Sequence, residues 1–375
     1  EVEKGLANLR TTNLFNSIEL QVSRTNSDYD LNIVLEEKIS SLMRFGLRID
    51  NENQTQVLID LRDENLFGTG SELGLIFTGG LRNRSLILEN RANRLFDTYL
   101  TYKIRAYHEF RDYNLYENDE VTLPNRFSRS KVGEYRQKRI GFSAGLGAQV
   151  EKIGSLFGEF KIQTDEIANK LDYTGDTYNI VVAMLRVNLL IDSQNKFPFP
   201  NRGVLFKLGW ESAQQNLGSD VSFTKFEMDY KAYFPISLSH NLNARFVLGF
   251  GDETLPLSQQ FSFGGQNHFF GFRDSEYRGR QVFLSSLEYR YTLPVKLFFD
   301  SYLKFRYDLG SVWSQREQIR FKDLRHGLGL SLSLDTPIGP AEFAIGKSFL
   351  IKRQIPENIL VWGDTQFYFT IGYYY

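Results

Sequence analysis

The stretch most suggestive of catalysis in this 375-residue chain is Gly141-Phe142-Ser143-Ala144-Gly145, which has the spacing of a serine nucleophile held at a sharp strand-to-helix turn. The surrounding residues, from Ile140 to Ala148, alternate apolar with small or polar side chains, which predicts one unbroken strand. A serine inside a straight strand lacks the turn that would expose it. We therefore interpret these glycines as small positions facing a lumen, and we predict no catalytic residue in this chain.

Other residues capable of chemistry are sparse. The four histidines lack the paired spacing of a metal site and the chain contains no cysteine, so the sequence predicts neither a metal site nor a cofactor. The net charge of −1 gives no reason to expect a nucleic-acid partner. Mixed charges along 225–231 are typical of a solvated, self-neutralising strand face. The histidines are His108, His240, His268 and His326.

The elements that would carry these residues are strands. Aromatic residues make up 15% of the chain although its mean hydropathy is −0.34, and no stretch is long and apolar enough for a transmembrane helix. Alternation is clearest in Asn241–Phe250. Many such runs reach about ten residues, the length that crosses a bilayer at a tilt. We predict an all-β fold, a 16-stranded antiparallel transmembrane β-barrel.

Sixteen strands can be assigned, an even number, as an antiparallel bacterial barrel requires. The longest connections, 114–132 and 254–280, follow odd-numbered strands and therefore lie at one end of the barrel. The strands are predicted at 42–51, 55–66, 71–81, 83–92, 97–113, 133–151, 154–167, 176–193, 203–215, 219–237, 240–253, 281–292, 299–315, 325–336, 339–351 and 364–375.

The first forty residues have a different pattern. Leu6, Leu9 and Leu14 recur at roughly helical spacing, and two short strand-like runs follow them. We therefore divide the chain into an α+β module at residues 1–41 and a barrel at 42–375, whose loop 254–280 folds inward. If the module lies in the periplasm, the long connections lie outside.

Five short motifs follow one another along the chain: Leu9–Phe15, Asn65–Gly70, Asp192 with Phe199–Gly203, Asp308–Gly310 and Thr336–Pro340. In this order they resemble motifs of the superfamily of BamA and TamA outer-membrane assembly factors and two-partner-secretion transporters, also called the bacterial surface antigen family. The resemblance implies a sixteen-stranded barrel in a Gram-negative outer membrane. It also implies that residues 1–41 are the C-terminal part of a periplasmic POTRA repeat.

The inward loop contains Phe270-Gly271-Phe272-Arg273, which is similar to the family's Arg-Gly-Phe/Tyr signature. Gly271 and Phe272 match this signature, but Phe270 stands where the family has arginine. Two readings follow: Arg273 replaces the missing arginine after a small backbone shift, or Arg273 is an ordinary solvated residue and the loop is held differently.

In the family, the loop arginine enters the lumen and pairs with an acidic residue on the thirteenth strand. The resemblance therefore implies Asp308 as the partner of the loop, with Arg306 and Glu288 as neighbouring lumen groups. A guanidinium and a carboxylate would fix the loop through bidentate hydrogen bonds.

The resemblance also implies that the seam between the first and last strands is the functional weak point. Gly46, Gly372 and Tyr375 are the seam residues predicted here, with Gly46 facing a residue near Ile371. The leading hypothesis is that the seam opens and unfolded outer-membrane protein clients add a strand to its edge.

A second hypothesis rests on Phe270–Arg280 and Met43–Arg48, which look like barrels fused behind a patatin-like phospholipase. In that case a catalytic domain would precede Glu1, and the barrel would anchor or export it, in contact with membrane lipids and as a homodimer if the anchor pairs. A passive porin is less well supported because it leaves the α+β module unexplained.

Overall fold

The computed structural model describes residues 2–12, 14–25, 28–92, 95, 98, 100–119, 125–150, 153–294, 298–352 and 359–373. These residues form a helix with a two-stranded hairpin, then a closed barrel of sixteen antiparallel strands, with a small two-stranded sheet inside one connection. The prediction of a 16-stranded antiparallel barrel is confirmed.

The N-terminal unit consists of helix α1 (Val2–Thr12) and strands β1 (Phe15–Thr25) and β2 (Asp28–Glu37). Leu6 of the helix is buried, whereas Leu20 of the hairpin is exposed, as expected of a unit too short to cover its own apolar face. These elements agree with the predicted α+β pattern, while their assignment to a POTRA repeat stays a prediction. Among the described helices, none is long and apolar enough to cross a membrane.

The barrel strands follow in chain order, interrupted by two short strands, β14 (Phe261–Phe263) and β15 (Tyr277–Gly279), within one connection. The sixteen are β3 (Ser41–Asp50), β4 (Gln54–Asp63), β5 (Glu72–Gly80), β6 (Asn83–Ala92), β7 (Leu100–Asn118), β8 (Arg129–Val150), β9 (Gly154–Leu171), β10 (Tyr178–Asp192), β11 (Gly203–Ala213), β12 (Phe223–Pro235), β13 (His240–Gly251), β16 (Gln281–Thr292), β17 (Ser301–Trp313), β18 (Arg325–Thr336), β19 (Gly339–Ile351) and β20 (Leu360–Ile371). Short 3₁₀ helices lie at Leu66–Gly68, Gln215–Leu217, Leu257–Gln259, Arg316–Gln318 and Phe321–Asp323.

All sixteen predicted strands are present in the predicted order, and the differences lie at their ends. β7 and β8 extend into the predicted connection 114–132, of which Asn114–Asn118 and the residues from Arg129 onward are strand. The last strand, predicted at 364–375, begins at Leu360 and ends at Ile371. Alternation is a poor guide to strand ends because pairing continues past the point where one face must be apolar.

Alternating side chains divide each strand between an apolar outer surface and a charged lumen. Phe45 of β3 is exposed on the outside, whereas Arg62 of β4 is buried in the wall of the lumen. Arg62 Nη1 lies 3.0 Å from Glu72 Oε2 and 3.1 Å from Glu89 Oε1, on the two following strands. The buried charges of the wall are thus paired across strands, which keeps their desolvation tolerable.

The inward loop, predicted at residues 254–280, lies in the connection between β13 and β16 (residues 252–280) and folds into the lumen. Its two arms pair as β14 and β15. Phe263, Phe269 and Phe272 form its buried aromatic core, which packs on Val282 of β16. The loop thereby carries its own hydrophobic core into a polar lumen and can hold a defined shape there.

Candidate functional site

The tip of the inward loop is bound to the barrel through two consecutive residues. Phe270 donates its backbone N–H to Asp308 Oδ2 of β17 at 2.8 Å, and Gly271 donates its own to Tyr368 Oη of β20 at 2.9 Å. Ser348 of β19 donates its hydroxyl to the carbonyl oxygen of Gly271 at 3.1 Å. Three of the last four strands of the barrel, β17, β19 and β20, therefore hold the loop tip.

Only glycine fits at position 271. Its φ of +85° lies in the left-handed region, and a Cβ atom there would lie 2.1 Å from the backbone nitrogen of Ser348. Tyr368 completes the attachment, because its hydroxyl also donates to the carbonyl oxygen of Phe272 at 2.7 Å. The glycine of the sequence motif thus permits direct backbone contact between the loop and β19.

The ring of Phe270 lies in a shallow depression made by glycines of two neighbouring strands. A Cβ atom on Gly329 of β18 would lie 2.2 Å from this ring, and one on Gly346 of β19 would lie 2.9 Å from it. On its other side, the guanidinium carbon of Arg306 lies 3.9 Å from the ring centre. The phenylalanine that replaces the family's arginine is therefore packed as an apolar and cation–π anchor.

Asp308 is fully buried, and its charge partner comes from its own strand. Arg306 approaches Asp308 Oδ2 with Nη2 at 2.8 Å and Nε at 3.1 Å, and its Nη1 donates to the carbonyl oxygen of Gln266 at 2.9 Å. Glu288 faces Arg306 in the β16–β17 ladder and accepts a bond from Asn243 at 2.9 Å. Arg306 thus supplies the guanidinium next to the acidic residue, and the loop supplies backbone groups.

Arg273 contacts residues near the facing ends of β7 and β8. Its Nη1 donates to the carbonyl oxygen of Arg129 at 3.1 Å, and its guanidinium lies 5.3 Å from the ring centre of Tyr116. No hydrogen bond or ion pair joins it to Asp308 in the described residues. The idea that Arg273 takes over the role of the missing arginine is therefore corrected: Arg306 stands beside Asp308.

A second attachment joins the loop to the opening half of the barrel. Asp274 forms an ion pair with Arg111 of β7 and donates its backbone N–H to Glu52 Oε1 at 2.7 Å. Glu52 lies in the turn between β3 and β4, outside the strands. Burial, together with the negative charges of Asp274 and Asp50, raises the pKa of Glu52 from 4.5 to about 8.

The barrel closes where β20 meets β3, a contact here called the seam. In the described residues, these strands pair at Thr370 with Asp50 and at Ile371 with Ile49. Beyond this pairing, the side chain of Asn51 continues the ladder.

The carboxamide of Asn51 behaves as a substitute peptide group. It donates to the carbonyl oxygen of Phe367 at 2.7 Å and accepts from the backbone N–H of Phe369 at 3.0 Å. Its own backbone N–H donates to the carbonyl oxygen of Phe369 at 3.3 Å. A single turn residue thus satisfies groups on β20 that β3 does not reach.

The three predicted seam residues have different positions. Gly46 pairs with Leu58 of β4, and Ile371 faces Ile49, three residues beyond Gly46 along β3; the prediction that Gly46 faces a residue near Ile371 stays a prediction. Gly372 follows β20 at φ +104°, and a Cβ atom there would lie 2.1 Å from the carbonyl oxygen of Leu47. Tyr375 lies outside the described residues.

The serine motif has no turn. Ser143 lies in the middle of β8, paired with Arg105 of β7 and Lys161 of β9.

Sequence reasoning missed Asn51 and Tyr368, whose partners are more than ninety residues away along the chain. One sequence signal did point to this site. Gly327 and Gly329 alternate within a strand, and such glycines can leave room for large rings, here those of Phe269 and Phe270.

A family model described as the Omp85 superfamily domain matches residues 65–375. A curated relative, the outer membrane protein assembly factor BamA of Nitratidesulfovibrio vulgaris strain Hildenborough, is 24% identical over 357 residues. That match takes in 90% of this chain but 43% of the relative, so the chain spans less than half of the relative's length.

Two types of solved structure resemble the fold. BamA from Haemophilus ducreyi lacking POTRA domains 1–3 gives a TM-score of 0.77 at 16% identity, covering 99% of this chain and 77% of that one. CdiB from Acinetobacter baumannii gives 0.57 at 12% identity, covering 97% and 67%, respectively. CdiB from Escherichia coli gives 0.59 at 13% identity, covering 96% and 68%. At these identities the likeness is one of fold.

Proposed function

The chain belongs to the Omp85 superfamily, and from this premise we propose that it is an outer-membrane barrel that inserts or translocates unfolded client proteins through the seam. The seam carries the proposal: among the described residues, β20 pairs with β3 at Thr370 and Ile371, but with β19 along its whole length from Leu360 to Ile371. A sheet edge with few main-chain bonds is the easiest place for another strand to add.

The relatives support an assembly or transport role rather than catalysis. The curated relative is named an assembly factor, and the fold is shared with BamA and CdiB. In the described residues the closed seam is held by strand pairing at Thr370 and Ile371 and by the backbone and side-chain bonds of Asn51. Opening the seam would expose the backbone groups of β20, which an incoming client strand would satisfy by β-augmentation.

Residues 1–41 are proposed to be the C-terminal part of a periplasmic POTRA repeat that meets clients before they reach the seam. The helix-then-hairpin order supports this, and so does the H. ducreyi BamA alignment, which covers 99% of this chain and therefore reaches into these residues. The exposed apolar side chains of the hairpin, such as Leu20 and Val22, would be covered by the rest of the repeat or by a client.

The proposal is tested by locking the seam. The chain has no cysteine, so Ile49→Cys with Ile371→Cys introduces one pair of facing thiols across it. We expect the oxidised barrel to lose insertion of a client in proteoliposomes and to regain it on reduction. The control pair Leu332→Cys with Phe343→Cys, on paired strands β18 and β19, should insert clients in both states. Full insertion by the oxidised seam variant would refute the proposal.

The anchoring alternative makes a different demand on the seam. A barrel that only holds or exports a patatin-like phospholipase has no need to accept foreign strands. It would therefore still anchor or export the phospholipase when a disulfide locks the seam. Reading the coding sequence upstream of Glu1 separates the two: POTRA repeats favour assembly, and a lipase serine motif favours anchoring.

A further inference from the structure

The seam-side edge of β20 from Leu360 to Thr365, here called its outer half, is covered by residues 125–127. This segment lies far away in sequence and is here called the edge segment. Trp362 of β20 donates its backbone N–H to the carbonyl oxygen of Asn125 at 2.9 Å and accepts from the N–H of Phe127 at 2.9 Å. These two bonds form a parallel bridge between Arg126 and Trp362. The edge segment therefore pairs with β20 as a very short strand.

The edge segment cannot be a continuation of β3. β3 runs antiparallel to β20 and pairs with it near Ile371, at the far end of the strand, whereas the edge segment runs parallel to it at Trp362. Following the seam-side edge of β20, different elements bond to it in turn: β3, the amide of Asn51, and the edge segment. The edge segment belongs to the connection between β7 and β8, two strands that do not pair with β20 themselves.

A phenylalanine ring fixes the edge segment in place. Phe127 packs against the aromatic core of the inward loop, with its ring centre 6.3 Å from that of Phe272. A Cβ atom on Gly363 of β20 would lie 2.8 Å from the Phe127 ring, so this glycine makes room for it. The register of β19 and β20 also shifts between Lys347 and Phe349, beside this position. The bulge and the glycine together form a seat for Phe127.

The edge segment is also linked to the inward loop. Arg129, which begins β8 two residues after Phe127, has its guanidinium 4.1 Å from the ring centre of Tyr277 and accepts the bond from Arg273 described above. Arg273 thus has a part in the site after all, since it ties the inward loop to the base of the edge segment. Movement of the loop tip would be transmitted to the edge segment through these contacts.

We propose that the edge segment is an internal strand mimic that occupies the outer half of the β20 edge, and that an extended client segment must displace it to pair with β20 from Leu360 to Thr365. The proposal rests on the proposed function, because it takes the seam as the place of strand addition. An unpaired strand edge exposes backbone N–H and C=O groups to which other strands can bond. A barrel without a client therefore gains from a segment that covers this edge and binds weakly enough for a client to displace it. Two main-chain bonds and one ring make such a cover.

The first experiment asks whether the edge segment protects β20, and it needs no client. In proteoliposomes, Phe127→Ala removes the ring that seats the segment and should speed hydrogen exchange of the Trp362 amide by about tenfold, the equivalent of losing one or two hydrogen bonds. Phe127→Pro also removes the donor to Trp362 and should show at least the same effect. The amide of Leu328 serves as the reference, because Leu328 lies inside β18 and pairs with Tyr307 of β17 and Lys347 of β19. Its exchange rate should not change. Unchanged exchange at Trp362 in both variants would overturn the proposal.

The second experiment asks whether the edge segment must move. Arg126→Cys with Trp362→Cys places two thiols on facing residues, and the single variant Trp362→Cys controls for loss of the indole ring. Ile351→Cys with Leu360→Cys is the matched control, a cross-link at the same end of β20 but on its β19 edge. The oxidised edge-segment pair should insert clients at least about tenfold more slowly than its reduced form, while both controls stay unchanged.

The outcomes separate the two proposals. Client insertion at full rate by the oxidised edge-segment variant overturns the strand-mimic proposal and leaves the seam proposal intact. If Trp362 exchange rises in the Phe127 variants but neither wild type nor any variant inserts a client, the function proposed for the seam fails and the cover on β20 stands as a structural feature.

Discussion

The two edges of β20 are closed by different means. Towards β19 the strand pairs from Leu360 to Ile371, and the tip of the inward loop is bound to both strands through Ser348 and Tyr368. Towards β3 the described residues show regular pairing at Thr370 and Ile371, extended by one side-chain amide and one short parallel bridge. One edge is a continuous ladder and the other is assembled from separable pieces. This difference is the reason why we propose that the barrel opens on the β3 side of β20.

The largest expected effect comes from removing the charge of Asp308, the β17 residue that accepts a hydrogen bond from the tip of the inward loop. Asp308→Asn leaves the Arg306 guanidinium without its buried partner and should lower the free energy of unfolding by about 3 kcal/mol. In the double variant Asp308→Asn with Arg306→Met, the loss should be smaller, because the guanidinium that lost its partner is itself removed. Urea unfolding of the detergent-solubilised barrel measures both. A double variant less stable than Asp308→Asn alone would show that Arg306 does not act through Asp308.

A somewhat smaller effect is expected at the loop tip. Gly271→Ala forces an L side chain into the left-handed region and against the Ser348 nitrogen, which should cost about 2 kcal/mol. Gly158→Ala is the matched control, because its Cβ would meet only the carbonyl oxygen of Leu146, at 4.0 Å. Equal stabilities of the two variants, measured in the same urea titration, would contradict the tight attachment of the tip.

The β3 side of β20 should be sensitive to loss of one side-chain amide, that of Asn51. Asn51→Ala removes the substitute peptide group, so the Phe369 amide should exchange faster, at a cost of about 1 kcal/mol for the lost bonds. Asn51→Asp should open the seam further, because a carboxylate oxygen would face the carbonyl oxygen of Phe367. Asn53→Ala in the same turn is the control. If Phe369 exchange is the same in all three variants, the amide does not hold the seam.

A pH dependence is also expected of the second loop attachment. The pKa of Glu52 is raised to about 8 in the folded protein, so the folded state holds its proton more tightly than the unfolded chain does. Stability from this carboxyl is therefore present below about pH 4.5 and is lost as the pH rises towards 8. The free energy of unfolding should therefore fall between pH 5 and 8 in wild type but change less in Glu52→Gln, as measured by urea titration at each pH. A parallel fall in both proteins would assign the pH dependence to another group.

The strands were predictable because alternation is a local property. A strand with one face towards lipid and the other towards a polar lumen writes a period of two into consecutive residues, as in Asn241–Phe250, and the even number of strands follows from closure. The inward loop was also predictable, since its length and its Gly271 motif both lie in one stretch of sequence.

What the sequence could not determine is which distant groups meet. The seam register depends on the stagger accumulated around the whole barrel, so Ile49, and not Gly46, faces Ile371. Arg306 beside Asp308, Asn51 on Phe367 and Phe127 over Gly363 join positions that no local period connects. The sequence by itself determined a sixteen-stranded barrel with an inward loop, because lipid and lumen act on each strand separately. The tertiary structure alone decided how the seam is closed, because closure brings together opposite ends of the chain.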